Sequence, residues 1–341
     1  MSGLERRFLG RTGLRVSSLT LGAMNFGGRT SAEESEAIID RALAAGINFI
    51  DTANVYNKGR SEEVVGTALK KNGRRGSIVL ATKVHGNVHA DDPLEPTQAG
   101  NSRRAIIEQV ELSLRRLQTD YIDLYQIHRP QPETPIDETL RALDDLVRSG
   151  KVRYIGSSTF AAWQVIESLW VSKEYGLNRF VSEQPPYNLL DRRIERELVP
   201  AARAYGIGLI PWSPLAGGYL TGKYKLKGEQ PAGRFSDRTH IRAAPLLDNP
   251  RAFEVVQKLS GIATEKNVSV AQLALAWTVQ QPGITSPIIG PGTREHLADN
   301  LASLEVHFSP EDLARIDAVS PPGEAIVPFY NADFGTPPHR W

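Results

Sequence analysis

Short apolar runs alternate along this chain with stretches whose apolar positions recur every three or four residues. The runs read as strands at 19–21, 47–50, 78–82, 121–127, 152–155, 179–182, 208–211 and 286–289. Between them, helical spacing covers 32–45, 61–70, 103–117, 136–149, 161–175, 193–205 and 269–280. In the fourth of these, Leu140, Leu143 and Val147 share a face, with Arg141, Asp144 and Asp145 between them, as in a helix packed on one side. Gly46, Gly150, Gly176 and Gly206 fall just after helical segments, where a left-handed closing residue is favoured. Strand followed by helix throughout predicts a parallel sheet. Eight such units predict an α/β fold closed into a (β/α)8 TIM barrel. An open dinucleotide-binding sheet carries GxGxxG after its first strand, whereas this chain runs into LGAMNFGG.

Two extensions interrupt the repeat. Residues 213–250 form a Gly-, Pro- and Lys-rich connection after the seventh strand, and connections of that length are often functional. Beyond Pro310 comes one short helix, then a tail with Phe329, Tyr330, Phe334 and Trp341, which packs on the barrel wall or shapes a pocket. The formal charge of +1 argues against a broad basic field for nucleic acid. No apolar run approaches the roughly 20 residues needed to span a bilayer, and the N-terminal residues do not read as a secretory signal. With no cysteine, disulfides, thiolate catalysis and Cys-bound zinc are excluded. The expected location is cytoplasmic, with no nucleic-acid or membrane partner.

In such barrels the chemistry gathers at the C-terminal ends of the strands. There the sequence places Asp51, Lys83 and His128, then Ser157–Ser158–Thr159, Ser182–Glu183–Gln184 and Trp212–Ser213, with Tyr56 five residues past Asp51. Singly, Asp51 reads as a turn cap, His128 as a hydrogen-bonded structural histidine and Tyr56 as unremarkable. Lys83 is harder to set aside, because an ammonium after an apolar strand loses hydration unless a carboxylate pairs with it. Together on one rim, the four make a proton-transfer centre. A phenol with an ordinary pKa near 10 readily protonates a developing alkoxide, and a neighbouring ammonium makes it a stronger acid. Asp51 would hold Lys83, and His128 would hydrogen-bond a substrate oxygen. That suits carbonyl reduction, with the hydride supplied by a cofactor.

At this point the chain resembles the aldo-keto reductase family over nearly its whole length. FLGRTGLRVSSLTLGAMNFG, INFIDTANVYNKGRSEEVVG, ATKV, YIDLYQIHRP, GKVRYIGSS, SEQPPYNLLDR and PWSPLAGGYLTGKY carry the likeness. It implies one barrel domain over 1–341, with an N-terminal β-hairpin and a C-terminal helix and tail. It implies a catalytic tetrad of Asp51, Tyr56, Lys83 and His128, with Tyr56 as general acid. It implies NADPH/NADP+, with NADH also admitted. Ser158, Thr159 and Gln184 would read the carboxamide, and Trp212 would stack on the nicotinamide. Ser213, Leu215, Gly217, Thr221 and Lys223 would run beside the pyrophosphate. Ile289, Gly290, Gly292 and Thr293, then Arg294, His296, Asp299 and Asn300, would meet the adenosine phosphate at a helix N-terminus. Three positions depart from the family: Thr159 stands where asparagine is frequent, and Gly292 and His296 stand where an arginine and a second basic or amide residue are frequent. A glycine has no guanidinium with which to grip a 2′-phosphate, which leaves Arg294.

Two other readings compete. A metal-dependent hydrolase barrel would use Asp51, His85, His89 and His128 as ligands, although no HxH strand motif is present. A cofactor-sensing binding subunit could share the fold. The substrate wall would come from loops near 24–26, Tyr56, 85–89 and 129–132 with the aromatic tail, a mixture that suits sugars, keto-sugars, aromatic aldehydes or polyketide-like ketones alike. Oligomeric state leaves no sequence signal.

Overall fold

All eight expected strands appear, and all are parallel, in the computed structural model, which describes residues 4–86, 88, 99–236, 239–240 and 242–329. An antiparallel hairpin, β1 (Arg6–Phe8) and β2 (Arg15–Ser17), precedes them. The barrel strands are β3 (Thr20–Gly22), β4 (Phe49–Asp51), β5 (Val79–Val84), β6 (Ile122–Ile127), β7 (Val152–Ser158), β8 (Phe180–Gln184), β9 (Gly208–Leu209) and β10 (Ile288–Ile289). They pair in the order β10-β3-β4-β5-β6-β7-β8-β9. Across the remaining gap, Thr285 N–H donates to Leu209 C=O and Ile288 N–H to Pro211 C=O, both at 2.8 Å, so the sheet curls back on itself.

Two apolar layers hold this shape. Inside the barrel, Phe49, Val79, Ala81, Leu124 and Ile210 pack with Leu9 and Val16 of the hairpin, which plugs the end where the strands begin. Outside it, the helices press Ile38, Val65, Val110, Leu143 and Leu273 into a second, larger layer around the strands. Strands buried on both faces explain the nearly continuous apolar runs in the sequence.

Two boundaries moved for reasons of backbone chemistry. The segment 193–205 is not one helix but a 3-10 turn, Arg193–Glu195, followed by an α-helix, Leu198–Tyr205. Pro200 lacks an N–H and clashes with a carbonyl four residues back, so it is tolerated only in a first helical turn. β10 is shorter than 286–289 because Pro287 cannot donate to a ladder. The 16-residue helix Pro250–Glu265 lies where the sequence reading placed no element, although Ala252, Val255, Val256, Leu259, Ile262 and Ala263 are buried at helical spacing. The connection after β9 also holds a 3-10 turn, Ala216–Thr221, and a short helix, Ala243–Leu247. Of the tail aromatics, Phe329 is buried; Tyr330, Phe334 and Trp341 lie outside the described residues.

Candidate active site

Lys83 lies on β5, fully buried, one strand over from Asp51 at the end of β4. Its ammonium donates to Asp51 Oδ2 at 2.5 Å, to Thr52 C=O at 2.8 Å and to the Tyr56 hydroxyl at 3.1 Å. Three acceptors match its three donors. Burial alone would lower the Lys83 pKa; the Asp51 carboxylate, and then Tyr56, outweigh it and hold the group above its ordinary value. Lys83 therefore stays charged beside the phenol.

Tyr56 opens a short 3-10 turn, Tyr56–Gly59, in which Asn57 and Lys58 take left-handed conformations at φ 49° and 56°. Asn57 Nδ2 repays that strain by donating to Met24 C=O and Phe26 C=O, which ties this loop to the one after β3. The tyrosine ring meets His128 edge-on, with centroids 5.6 Å apart. Burial, then the cations Lys83 and Arg129, push the His128 pKa well below the usual imidazole value. His128 is thus a neutral ring that offers one N–H to an oxygen. The four residues expected to form a centre do converge.

Two further residues complete it. Gln126, two before His128 and so on the same face of β6, donates to Asp51 Oδ1 at 3.0 Å. Gln184 donates to the same oxygen at 2.9 Å and to Gln126 Oε1 at 3.1 Å. Both amide protons of Gln184 are spent, leaving its Oε1 as an acceptor. Period 2 from His128 was the signal for Gln126. Glu183, fully buried, accepts from Ser157 Oγ at 2.5 Å and Phe160 N–H at 3.1 Å. Those bonds brace the turn where Thr159 sits at φ +64°. Burial pushes the Glu183 pKa up to about 8.

The residues expected to hold a dinucleotide lie at or beyond the C-terminal ends of β7, β8, β9 and β10, and several are already engaged. Ser158 Oγ donates to Gln184 C=O at 2.9 Å, and Thr159 Oγ1 accepts from Arg129. Trp212 follows β9; Arg242 lies 5.0 Å over its ring, Phe329 packs edge-on, and its buried Nε1 has no hydrogen-bond partner among the described residues. Leu215 precedes the turn Ala216–Thr221; Ser213 before it, and Ala216, Gly217 and Gly218 within it, are all left-handed. Thr221 Oγ1 donates to Gly218 C=O, and Lys223 Nζ donates to Ala232 C=O. Ile289 ends β10, and a side chain added at Gly290 or Gly292 would meet only atoms at 3.7 Å or beyond. That open strip leads into the helix Arg294–Ala302, capped by Thr293 Oγ1 on His296 N–H.

At that helix start one residue was not foreseen. Glu34, from the helix Ala32–Ala44, accepts from Arg294 N–H at 2.9 Å and pairs with the Arg294 side chain at 3.2 Å. Only the fold brings it there. Asp299 is held by Gln272 at 2.8 Å, and Asn300 is buried. As for metal ligands, His85 Nδ1 lies 3.0 Å from Asn101 Oδ1, His89 lies outside the described residues, and no metal-holding cluster forms among the described residues. No helix among them is long and apolar enough to cross a membrane.

The model of the aldo/keto reductase family matches residues 18–321. The chain is 42% identical to an uncharacterized oxidoreductase, YrpG, of Bacillus subtilis, over 93% of this chain and 96% of that one. It is 39% identical to a probable voltage-gated potassium channel subunit beta of Oryza sativa, with coverage of 93% and 96%. It is 36% identical to versiconal hemiacetal acetate reductase of Aspergillus parasiticus, with coverage of 92% and 96%.

Proposed function

The chain belongs to the aldo/keto reductase family and is an oxidoreductase of carbonyl-reducing type; from that premise we propose that it reduces an aldehyde or ketone with a nicotinamide dinucleotide, using Tyr56 as the acid. The observation that carries this reading is the buried Lys83 ammonium, held between the Asp51 carboxylate and the Tyr56 hydroxyl.

When bound, the reduced dinucleotide supplies the hydride for the carbonyl carbon. Tyr56 gives its hydroxyl proton to the carbonyl oxygen as negative charge builds there. The Lys83 cation stabilises the phenolate left behind, and the neutral His128 N–H orients the oxygen. The residues fit such a cofactor: with both Gln184 amide protons engaged, its Oε1 is left as an acceptor suited to a carboxamide N–H, and the strip at Gly290–Gly292 leaves backbone open to close approach. Ser158, Thr159 and Trp212 would complete the nicotinamide end. Ser213, Leu215, Gly217, Thr221 and Lys223 would hold the pyrophosphate, and Ile289, Gly290, Gly292, Thr293, Arg294, His296, Asp299 and Asn300 the adenosine end. NADPH and NADH are both admitted, because Glu34 opposes a 2′-phosphate at Arg294 while Arg294 favours it.

The substrate is a small-molecule carbonyl or, in reverse, an alcohol. Titrating NADPH and NADH against tryptophan fluorescence, then screening aldehydes and ketones, tests the reading. Tyr56→Phe should bind dinucleotide as the parent does while its turnover falls about 100- to 10,000-fold, the usual range for one general acid. Full activity in that variant would remove Tyr56 as the acid. A cofactor-sensing role, the alternative that the channel-subunit relative brings to mind, would show as binding without turnover on any carbonyl.

A further inference from the structure

At the barrel end opposite the tetrad, three arginines from three separate elements line one cavity of about 220 Å³. Arg11 comes from the turn of the β1–β2 hairpin, Arg153 from the second position of β7, and Arg179 from the residue before β8. No carboxylate lines the cavity, and none of the three makes an ion pair among the described residues. Asp144, which neighbours the lining residue Asn178, is engaged elsewhere: Oδ1 takes the backbone and side-chain N–H groups of Asn178 at 2.8 Å, and Oδ2 takes Arg148 at 2.5 Å.

Neutral groups hold the cations in place instead. Arg179 donates to Tyr205 C=O at 2.6 Å and to Phe180 C=O at 3.3 Å. Arg153 donates to Gly150 C=O at 2.9 Å and lies 4.5 Å over the Tyr121 ring. The Arg11 stem lies across Gly206, where an added Cβ would fall 2.3 Å from its Cγ. Burial, and then the neighbouring Arg11 cation, lower the Arg179 pKa. Like charges gathered in a cleft cost free energy that an anion among them would recover.

We propose that this cleft binds a phosphate dianion or a small phosphate monoester, remote from the catalytic mouth. Guanidinium forks match phosphate oxygens in pairs. The cavity is smaller than the roughly 300–1,000 Å³ of sites for drug-sized ligands, so it takes a phosphate group with few further atoms. An anion bridging Arg11 to Arg153 and Arg179 fastens the hairpin plug to the starts of β7 and β8. The ligand therefore stabilises the barrel without touching its chemistry.

Calorimetry and thermal melting decide the matter, on protein saturated with NADPH so that anion sites at the mouth are filled. The titrants are inorganic phosphate, glycerol phosphate, and sodium chloride at matched ionic strength. Both phosphates are expected to bind saturably and to raise Tm beyond the effect of chloride. Arg11→Gln and Arg179→Gln should each weaken that binding at least tenfold while keeping kcat. Without phosphate, Arg11→Gln should melt no lower than the parent, since it relieves repulsion. Tighter binding of the ester points to a metabolite as the source, and tighter binding of phosphate to the free ion. Equal Tm effects of chloride and phosphate would overturn the site, as would a double variant that keeps parental affinity. Because the comparison is between arginine variants, it stands even if the dinucleotide reading fails.

Discussion

Gln126 shows how one side chain links two jobs. Its N–H group steadies Asp51, and its carbonyl oxygen fixes which way Gln184 points. Replacing it with leucine leaves Gln184 free to turn its amide and withdraws a donor from a buried carboxylate. An unmade buried hydrogen bond costs about 1–3 kcal/mol, and about 1.4 kcal/mol is a factor of ten. Gln126→Leu should therefore lose about 10- to 100-fold in kcat/KM, with cofactor KM rising as well. Steady-state kinetics on a variant with parental circular dichroism checks this; an unchanged cofactor KM would separate Gln126 from the cofactor side. Asp51, Lys83 and His128 stood out at this scale because each follows an apolar run, and Tyr56 because it lies five residues past Asp51 over the same rim. Glu34 was not, because its approach to Arg294 depends on how one helix lies against another some 260 positions away.

Elements carry the next level of control. The turn after β7 keeps the β-branched Thr159 in a left-handed conformation, and Glu183 beneath it braces Ser157 and Phe160. Its pKa rises from 4.5 in the free chain to about 8 when folded, chiefly by burial. The folded protein thus holds this proton over a range where the unfolded chain has released it. The associated stability is fully present below the unfolded value and is lost as pH climbs through about 8. When protonated, Glu183 can reverse its bond with the Ser157 hydroxyl and still accept from Phe160. Glu183→Gln keeps the shape and removes the titration, so its urea midpoint should fall less than the parent's between about pH 5 and 8. Parallel slopes in parent and variant would refute the assignment. Gly46, Gly150, Gly176 and Gly206 marked four helix ends, whereas the helix Pro250–Glu265 lies just past the connection 213–250, in a stretch to which the sequence reading gave no element.

For the molecule as a whole, closure depends on few strand bonds and much packing. β9 and β10 are two residues each, so the ring of strands relies on the layers inside and outside it. Leu9, fully buried among Phe49, Ala81 and Leu124, joins the hairpin to the barrel interior. Leu9→Ala should lower unfolding stability by about 2–5 kcal/mol through lost burial and a cavity. Chemical denaturation measures this, and substrate KM should stay constant because the plug lies at the end away from the tetrad. A loss under about 1 kcal/mol would mean that the hairpin merely covers the barrel.

Periodicity and strand-end chemistry were enough for the barrel, its eight strands and the four residues at its centre. Both are local: a face repeats every two or 3.6 residues, and a charge after an apolar run needs a partner nearby. Folding added what depends on distance along the chain. It placed Gln126 between Asp51 and Gln184, set Glu34 on Arg294, and drew Arg11, Arg153 and Arg179 to one cleft. Those meetings follow from how far each strand is staggered and how each helix is tilted, and these are set by packing across the entire core.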